Sequence, residues 1–182
     1  MQEPVTTWYL EMRAPAQLQR ARVPQPAPLI LRAELPLPML NRFLYTAVGG
    51  HWYWRDRLDW TYARWMQWLD RPELQTWVMY VRGTPAGYVE LEYQPGDDVE
   101  IAYFGLMREF IGRGLGGHLL SEGIARAWDM GARRVWVHTC TLDGPAALAN
   151  YEARGMLRYH QETRLHDPLG EPDGPWPGWT RA

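Results

Sequence analysis

The residues best placed to do chemistry form a short glycine-rich run, Ile111-Gly112-Arg113-Gly114-Leu115-Gly116-Gly117, which opens directly into a segment with helical apolar spacing. The first amides of a helix have no internal acceptor, and the helix macrodipole places about half a positive charge there. Glycines let an anion approach such a backbone closely. The run is therefore predicted to hold phosphates. The competing reading is that the glycines only make a tight turn and allow close helix packing. The same residues satisfy Gly-x-Gly-x-x-Gly as Gly112, Gly114 and Gly117, but that dinucleotide fingerprint needs a carboxylate at the end of the following strand. Here that strand reads Arg133-Arg134-Val135-Trp136-Val137-His138-Thr139, and the next carboxylate is Asp143. Hydride transfer is accordingly disfavoured.

Absences narrow the chemistry further. All 19 basic residues are arginine, so the lysine of a P-loop and the lysine amine of Schiff-base chemistry are both missing. Ser121 is the only serine and has no Gly-x-Ser-x-Gly setting, which argues against a nucleophile elbow. His51, His118, His138, His160 and His166 show no paired ligand spacing, so no metal is expected. His138 and Cys140 lie two apart on one strand face, yet a lone cysteine beside a buried strand is usually inert packing. A net charge of −2 and scattered arginines give no field for a polyanion, so no nucleic-acid partner is expected. No apolar run suits a membrane span, no signal-peptide pattern opens the chain, and one cysteine permits no internal disulfide. A cytoplasmic location is the expectation.

The elements that must position the run follow from periodicity. Thr6 to Met12 reads as a short strand or arm, followed by a proline-interrupted stretch from Ala14 to Pro28. Leu29 to Ala33 suits a strand and Met39 to Val48 a helix stopped by Gly49-Gly50. Asp59 is placed to cap a second helix ending near Leu69. Strands at Thr76 to Val81, Gly87 to Tyr93 and Val99 to Leu106 are joined by short turns, which implies an antiparallel meander. A helix from Gly114 to Met130 presents Leu115, Leu119, Leu120, Ile124, Ala127 and Trp128 on one stripe, with Gly131 as a C-terminal cap. A strand at Val135 to Thr139, a helix at Pro145 to Arg154 and a strand at Met156 to Arg164 complete a mixed α/β (α+β) domain. The expected organisation is an arm and linker at 1–28, one domain at 29–165, and a proline- and glycine-rich tail at 166–182 that is poorly ordered, although Trp176 and Trp179 could dock.

At this point the chain resembles the GNAT N-acetyltransferases, whose coenzyme A loop reads Gln/Arg-x-x-Gly-x-Gly/Ala after the fourth strand of their fold. Ile111 stands where that family has glutamine or arginine, and the other five positions of Ile111 to Gly116 agree in character. Ala147-Leu148-Ala149-Asn150-Tyr151-Glu152-Ala153-Arg154-Gly155-Met156 is similar to the family's Ala-x-x-x-Tyr-x-x-x-Gly-Phe segment, with Met156 for phenylalanine. Gly144 stands where the family often has an asparagine. The resemblance implies a largely antiparallel sheet flanked by helices, with its two central strands splayed around the cofactor.

It further implies acetyl-CoA as acyl donor and a small-molecule or peptide amine as acceptor. Phe104, Gly105 and Leu106 map to the strand edge that pairs with the pantetheine arm, and Ile111, Gly112, Arg113, Gly114, Leu115, Gly116 and Gly117 to the phosphate turn. The Phe104 amide maps to the donor that stabilises the oxyanion. Tyr151 matches the tyrosine that protonates the leaving thiolate; its competing role is a core tyrosine. Glu100 matches a glutamate base, with a solvated turn carboxylate, or an ordered water as base, left open and Glu90 and Glu92 as alternates. The aromatic cluster of Trp52, Tyr53, Trp54, Trp60, Tyr62, Trp65 and Trp68, with His51, either walls an acceptor site or packs helix onto sheet. Carboxylates at 90, 92, 97, 98 and 100 favour a cationic amine if they line the cleft. A non-catalytic acyl-CoA-binding module is the alternative function, and a homodimer is compatible with the aromatic content.

Overall fold

The computed structural model describes residues 2–175; Trp176 and Trp179 lie outside them. The elements, in chain order, are β1 (Glu3–Met12), β2 (Leu29–Ala33), α1 (Pro38–Gly49), α2 (Tyr62–Leu69), β3 (Leu74–Val81), β4 (Thr84–Gln94), β5 (Asp98–Leu106), α3 (Leu115–Asp129), β6 (Arg134–Cys140), α4 (Ala147–Ala153) and β7 (Leu157–His166). They form one seven-stranded sheet in the order β2-β3-β4-β5-β6-β1-β7. Every neighbouring pair is antiparallel except β5 and β6. This is the mixed, largely antiparallel sheet flanked by helices that the resemblance implied.

Two local expectations are revised. The first segment, read as a short strand or arm, is a strand that belongs to the main sheet and pairs along both edges, with Tyr9 opposite His138 on one side and His160 on the other. It occupies an internal place in the sheet. Helix α2 is capped by Thr61, whose hydroxyl accepts from the Arg64 amide at 3.2 Å, rather than by Asp59. Both residues are good caps, but Trp60 between them is held against Arg57 (4.7 Å to the ring centre) and so stays in the loop.

The core lies between the sheet and α3. Leu119, Leu120, Ile124 and Ala127 of α3 are fully buried against Val89, Leu91, Val99, Val135 and Val137 of β4, β5 and β6. Each such leucine or isoleucine contributes about 1.5–3 kcal/mol by leaving water. Residues 17–21 run across the outside of α3 and α4, with the Gln19 amide on the Arg154 carbonyl (2.9 Å) and the Ala21 amide on the Ser121 hydroxyl (2.9 Å). On the opposite face α1 and α2 cover β3 and β4 through Leu44, Val48, Val78 and Tyr88, and through Tyr45, Trp65 and Leu74.

The site is created where the sheet opens. Strands β5 and β6 pair in parallel only from Asp98↔Arg134 to Glu100↔Trp136. The register of β4 against β5 runs Leu91↔Ile101 and then Glu90↔Tyr103, so Ala102 is an extra residue on β5. A bulge of this kind bends its strand and increases local twist. It sits immediately past the last β5–β6 pair, and beyond it Tyr103 to Leu106 diverge from His138 to Cys140.

Candidate active site

The gap between the strands continues into a cavity of about 770 Å³ that reaches both faces of the sheet. Directly opposed residues of paired strands share a face. Glu100 and Tyr103 therefore lie with Glu92 and Glu90 on the α1/α2 side. Phe104, opposite Val89, points to the α3/α4 side, where its ring meets Tyr151 edge-on at 5.9 Å.

On the α3/α4 side the glycine-rich run forms the start of α3. Gly112 (φ +80°) and Gly114 (φ +74°) occupy the left-handed region, which costs glycine little and other residues more. Gly114 is the N-cap and offers no side chain to the first-turn amides. A Cβ on Gly117 would lie 2.7 Å from Nη1 of Arg154, and Nε of that arginine is buried without a hydrogen-bond partner. An arginine side chain this close to an uncapped helix start fits a bound phosphate group. Arg154 had no assigned role in the sequence; its signal was only its place beside Gly155 at the end of α4. Ile111, Gly112, Gly116 and Gly117 line the cavity, as do Phe104, Gly105 and Leu106. Leu115 is buried in the core, so it offers the turn only its backbone. The Arg113 guanidinium lies over the Phe110 ring at 5.6 Å.

Tyr151 lines the same cavity and is 5% exposed. Burial, and then the nearby Asp143 carboxylate, hold its phenol well above the ordinary tyrosine range. Among the described residues its hydroxyl has no hydrogen-bond partner.

On the α1/α2 side the arrangement differs from the sequence expectation. Glu100 is not among the cavity-lining residues. It accepts from Nε2 of Gln94 at 2.7 Å and faces Nδ1 of His138 at 3.3 Å. His138 does line the cavity, and its contact with Glu100 raises its proton affinity against the opposing effect of burial. Glu90 and Glu92 are engaged elsewhere, Glu90 with Nη1 of Arg57 (2.8 Å) and Glu92 with Nη2 of Arg71 (2.8 Å). Asp97 and Asp98 pair with Arg133 and Arg134. The cavity's carboxylates are instead Asp56 and Asp143. Asp143 accepts from the Thr139 hydroxyl (2.7 Å), the Cys140 amide (3.0 Å) and the Trp54 indole (3.4 Å). Burial, followed by Asp143, pushes the Cys140 thiol up, which keeps it protonated and a poor nucleophile.

The aromatic cluster divides. Trp60, Trp65, Trp68 and Tyr103 surround the Arg57 guanidinium at 4.2–5.6 Å from their ring centres, so these rings already hold a cation of the chain itself. Trp52, Tyr53 and Trp54 line the cavity. A Cβ on Gly144 would sit 3.3 Å from Cζ2 of Trp52, so the indole takes the space that a larger side chain at 144 would fill. Residues 169–173 bind over this loop. Arg55 donates to the Leu169 and Glu171 carbonyls (2.8 and 2.9 Å) and to Asp173, and the Tyr53 hydroxyl donates to the Gly170 carbonyl (3.0 Å).

Comparison with known proteins places this geometry in context. Residues 39–156 match the family model described as Acetyltransferase (GNAT) family. Similar solved structures include a GCN5-related N-acetyltransferase from Sphaerobacter thermophilus (TM-score 0.65, 18% identity, covering 95% of this chain and 56% of that one). Another is a GCN5-related N-acetyltransferase from Kribbella flavida (TM-score 0.64, 17% identity, 91% and 59%). An aminoglycoside acetyltransferase from an uncultured soil metagenomic sample aligns with TM-score 0.59 at 14% identity, covering 70% of this chain and 86% of its own. The chain thus spans little more than half the length of the first two. A search of curated proteins found no match.

Proposed function

The chain belongs to the GNAT acetyltransferase family, and from that premise we propose that it transfers an acetyl group from acetyl-CoA to a primary amine by direct attack within a ternary complex. The observation that carries this reading is Tyr151: a largely buried phenol, held well above its ordinary range and with no hydrogen-bond partner among the described residues, lining the cavity that also receives the glycine-rich turn.

Acetyl-CoA supplies an activated thioester. Uncapped amides at Gly114 to Gly117 and the Arg154 guanidinium hold its phosphates, and the free edge of Phe104, Gly105 and Leu106 receives the pantetheine arm. The Phe104 amide faces the thioester carbonyl and stabilises the charge that develops there as the amine adds. Tyr151 gives its proton to the sulfur as the carbon–sulfur bond breaks. An amine arriving as its ammonium form loses one proton to His138 before attack, with Glu100 behind it as the positioning partner of the base; the proton lost after addition replaces the one Tyr151 gave to the sulfur. A reducing, cytoplasmic setting belongs to the same proposal and is supported by the single free cysteine.

The test combines ligand-induced stabilisation with turnover. Saturating acetyl-CoA should stabilise the chain by about 2.7 kcal/mol at 100 times its dissociation constant, a rise of about 5–10 °C in the melting midpoint at this size. Tyr151→Phe should keep that rise and lower thiol release by about 10²–10⁴-fold. Equal turnover in the two proteins removes Tyr151 from the chemistry, and a rise with NAD in place of acetyl-CoA overturns the cofactor.

A further inference from the structure

The α1/α2 half of the cavity carries a charge pattern that acetyl transfer alone does not demand. Among the described residues its lining includes two carboxylates, Asp56 and Asp143, and one imidazole, His138, and no arginine. Arg57, adjacent in sequence to Asp56, is turned away into its ring of aromatic side chains and paired with Glu90. Asp56 is exposed, and its carboxylate is fixed by phenols on both oxygens, Tyr45 at 2.7 Å on one and Tyr103 on the other. An ionised carboxylate has about four acceptor positions, so two donors leave it able to receive an ammonium ion. Tyr103, which bonds it, meets the Trp54 ring edge-on at 4.8 Å, and Trp52 lines the same cavity. Aromatic faces and a carboxylate together favour a cation on an apolar body.

A second acidic group on the acceptor would meet the opposite situation. A carboxylate or phosphate brought into this half finds Asp56 and Asp143 and, among the described residues, no arginine of the lining; the one imidazole, His138, already faces the Glu100 carboxylate. Like charges brought together at an interface are a device for excluding wrong partners. We propose that the acceptor is a cationic primary amine on an apolar, ring-sized body with no acidic group, held as its ammonium form against Asp56 before it yields a proton to His138, and that free α-amino acids are excluded. This rests on the acetyl-transfer reading above.

The experiment follows thiol release from acetyl-CoA by the full chain with phenethylamine and with L-phenylalanine, which differ by one carboxylate. Phenethylamine should show kcat/KM greater by about 100-fold or more. Asp56→Asn should raise KM for phenethylamine by about tenfold or more, while leaving the acetyl-CoA-induced rise in melting temperature unchanged. Equal or better use of L-phenylalanine overturns the proposal, and so does failure of both amines in a protein that acetyl-CoA still stabilises. Loss of stabilisation by acetyl-CoA in the unsubstituted chain marks failure of the transfer reading instead, and the acceptor assignment falls with it. The two-amine comparison needs no variant, so a folding defect in Asp56→Asn cannot protect the idea.

Discussion

Breaking the Arg57–Glu90 pair should destabilise the fold far more than a surface substitution does, and the reason lies in how completely the pair is enclosed. The two side chains are 5% and 1% exposed, and their atoms approach to 2.8 Å. Glu90 has two further donors, Nε1 of Trp68 at 2.9 Å and Nδ2 of Asn41 at 3.3 Å. Arg57→Met keeps most of the side-chain volume but leaves a carboxylate in a dry pocket with only neutral partners. Removing one member of a buried pair costs about 3–5 kcal/mol. At about 2–4 °C per kcal/mol for a chain of this size, the melting midpoint should fall by about 6–20 °C. The double variant Arg57→Met/Glu90→Gln removes the stranded charge and keeps an acceptor for Trp68 and Asn41, so it should recover at least half of that loss. Urea unfolding at neutral pH reads the effect as a shift in midpoint at constant slope. A single variant within about 1 kcal/mol of the unsubstituted chain, or a double variant whose loss is the sum of the two single losses, would refute the reasoning. Trp60, Trp65 and Trp68 would then be open to a second role as acceptor walls.

Two further outcomes test the halves of the site separately. Gly114→Glu adds bulk and negative charge at a left-handed N-cap, so it should abolish stabilisation by acetyl-CoA; retained stabilisation would sink the phosphate-turn assignment. Glu100→Gln bears on pH. Glu100, then Asp143 and Asp56, favour protonated His138, and the Tyr9 and Trp136 rings lie 6.0 and 6.1 Å from it. A base works in its neutral form, so the rate falls as pH drops through the His138 titration. Removing the Glu100 charge lowers that titration, and the acid limb of kcat/KM should move to lower pH. An equal loss of rate at all pH values would mean that Glu100 only supports the strand.

What could be read from the sequence was what depends on neighbouring residues. The start of α3 was legible because Gly112 and Gly114 signal left-handed backbone, and its buried stripe because Leu119, Leu120, Ile124 and Ala127 repeat with the helical period. The position of β1 was not, since its pairing joins Thr7 to Cys140 and Tyr9 to His160 across most of the chain. The bulge at Ala102 was equally hidden. Ile101-Ala102-Tyr103 carries no glycine or proline, and the extra residue is defined only by counting against β4. The density of aromatic residues between α1 and α2 was plain, but not that Arg57 fills part of it. The cation comes from the loop before α2 while one of its rings, Tyr103, comes from β5.

The same division runs through the site and gives it its logic. On the α3/α4 side the interactions proposed for acetyl-CoA are made largely by backbone, at Gly114 to Gly117 and along Phe104 to Leu106, so they depend on conformation more than on residue type. On the α1/α2 side the proposed acceptor contacts are all side chains, and they come from separate segments: Trp52, Trp54 and Asp56 from the loop after α1, Tyr103 from β5, His138 from β6, and Asp143 from the loop after β6. That loop after α1 is held from below by the Arg57 cage and from above by the grip of Arg55 on residues 169–173. Substitutions there can reshape the acceptor half without touching the phosphate turn. The Ala102 bulge lies where the β5–β6 pairing ends, so on the proposed function both halves depend on it: the gap there is where an acetyl group held on one face would be reached by an amine on the other.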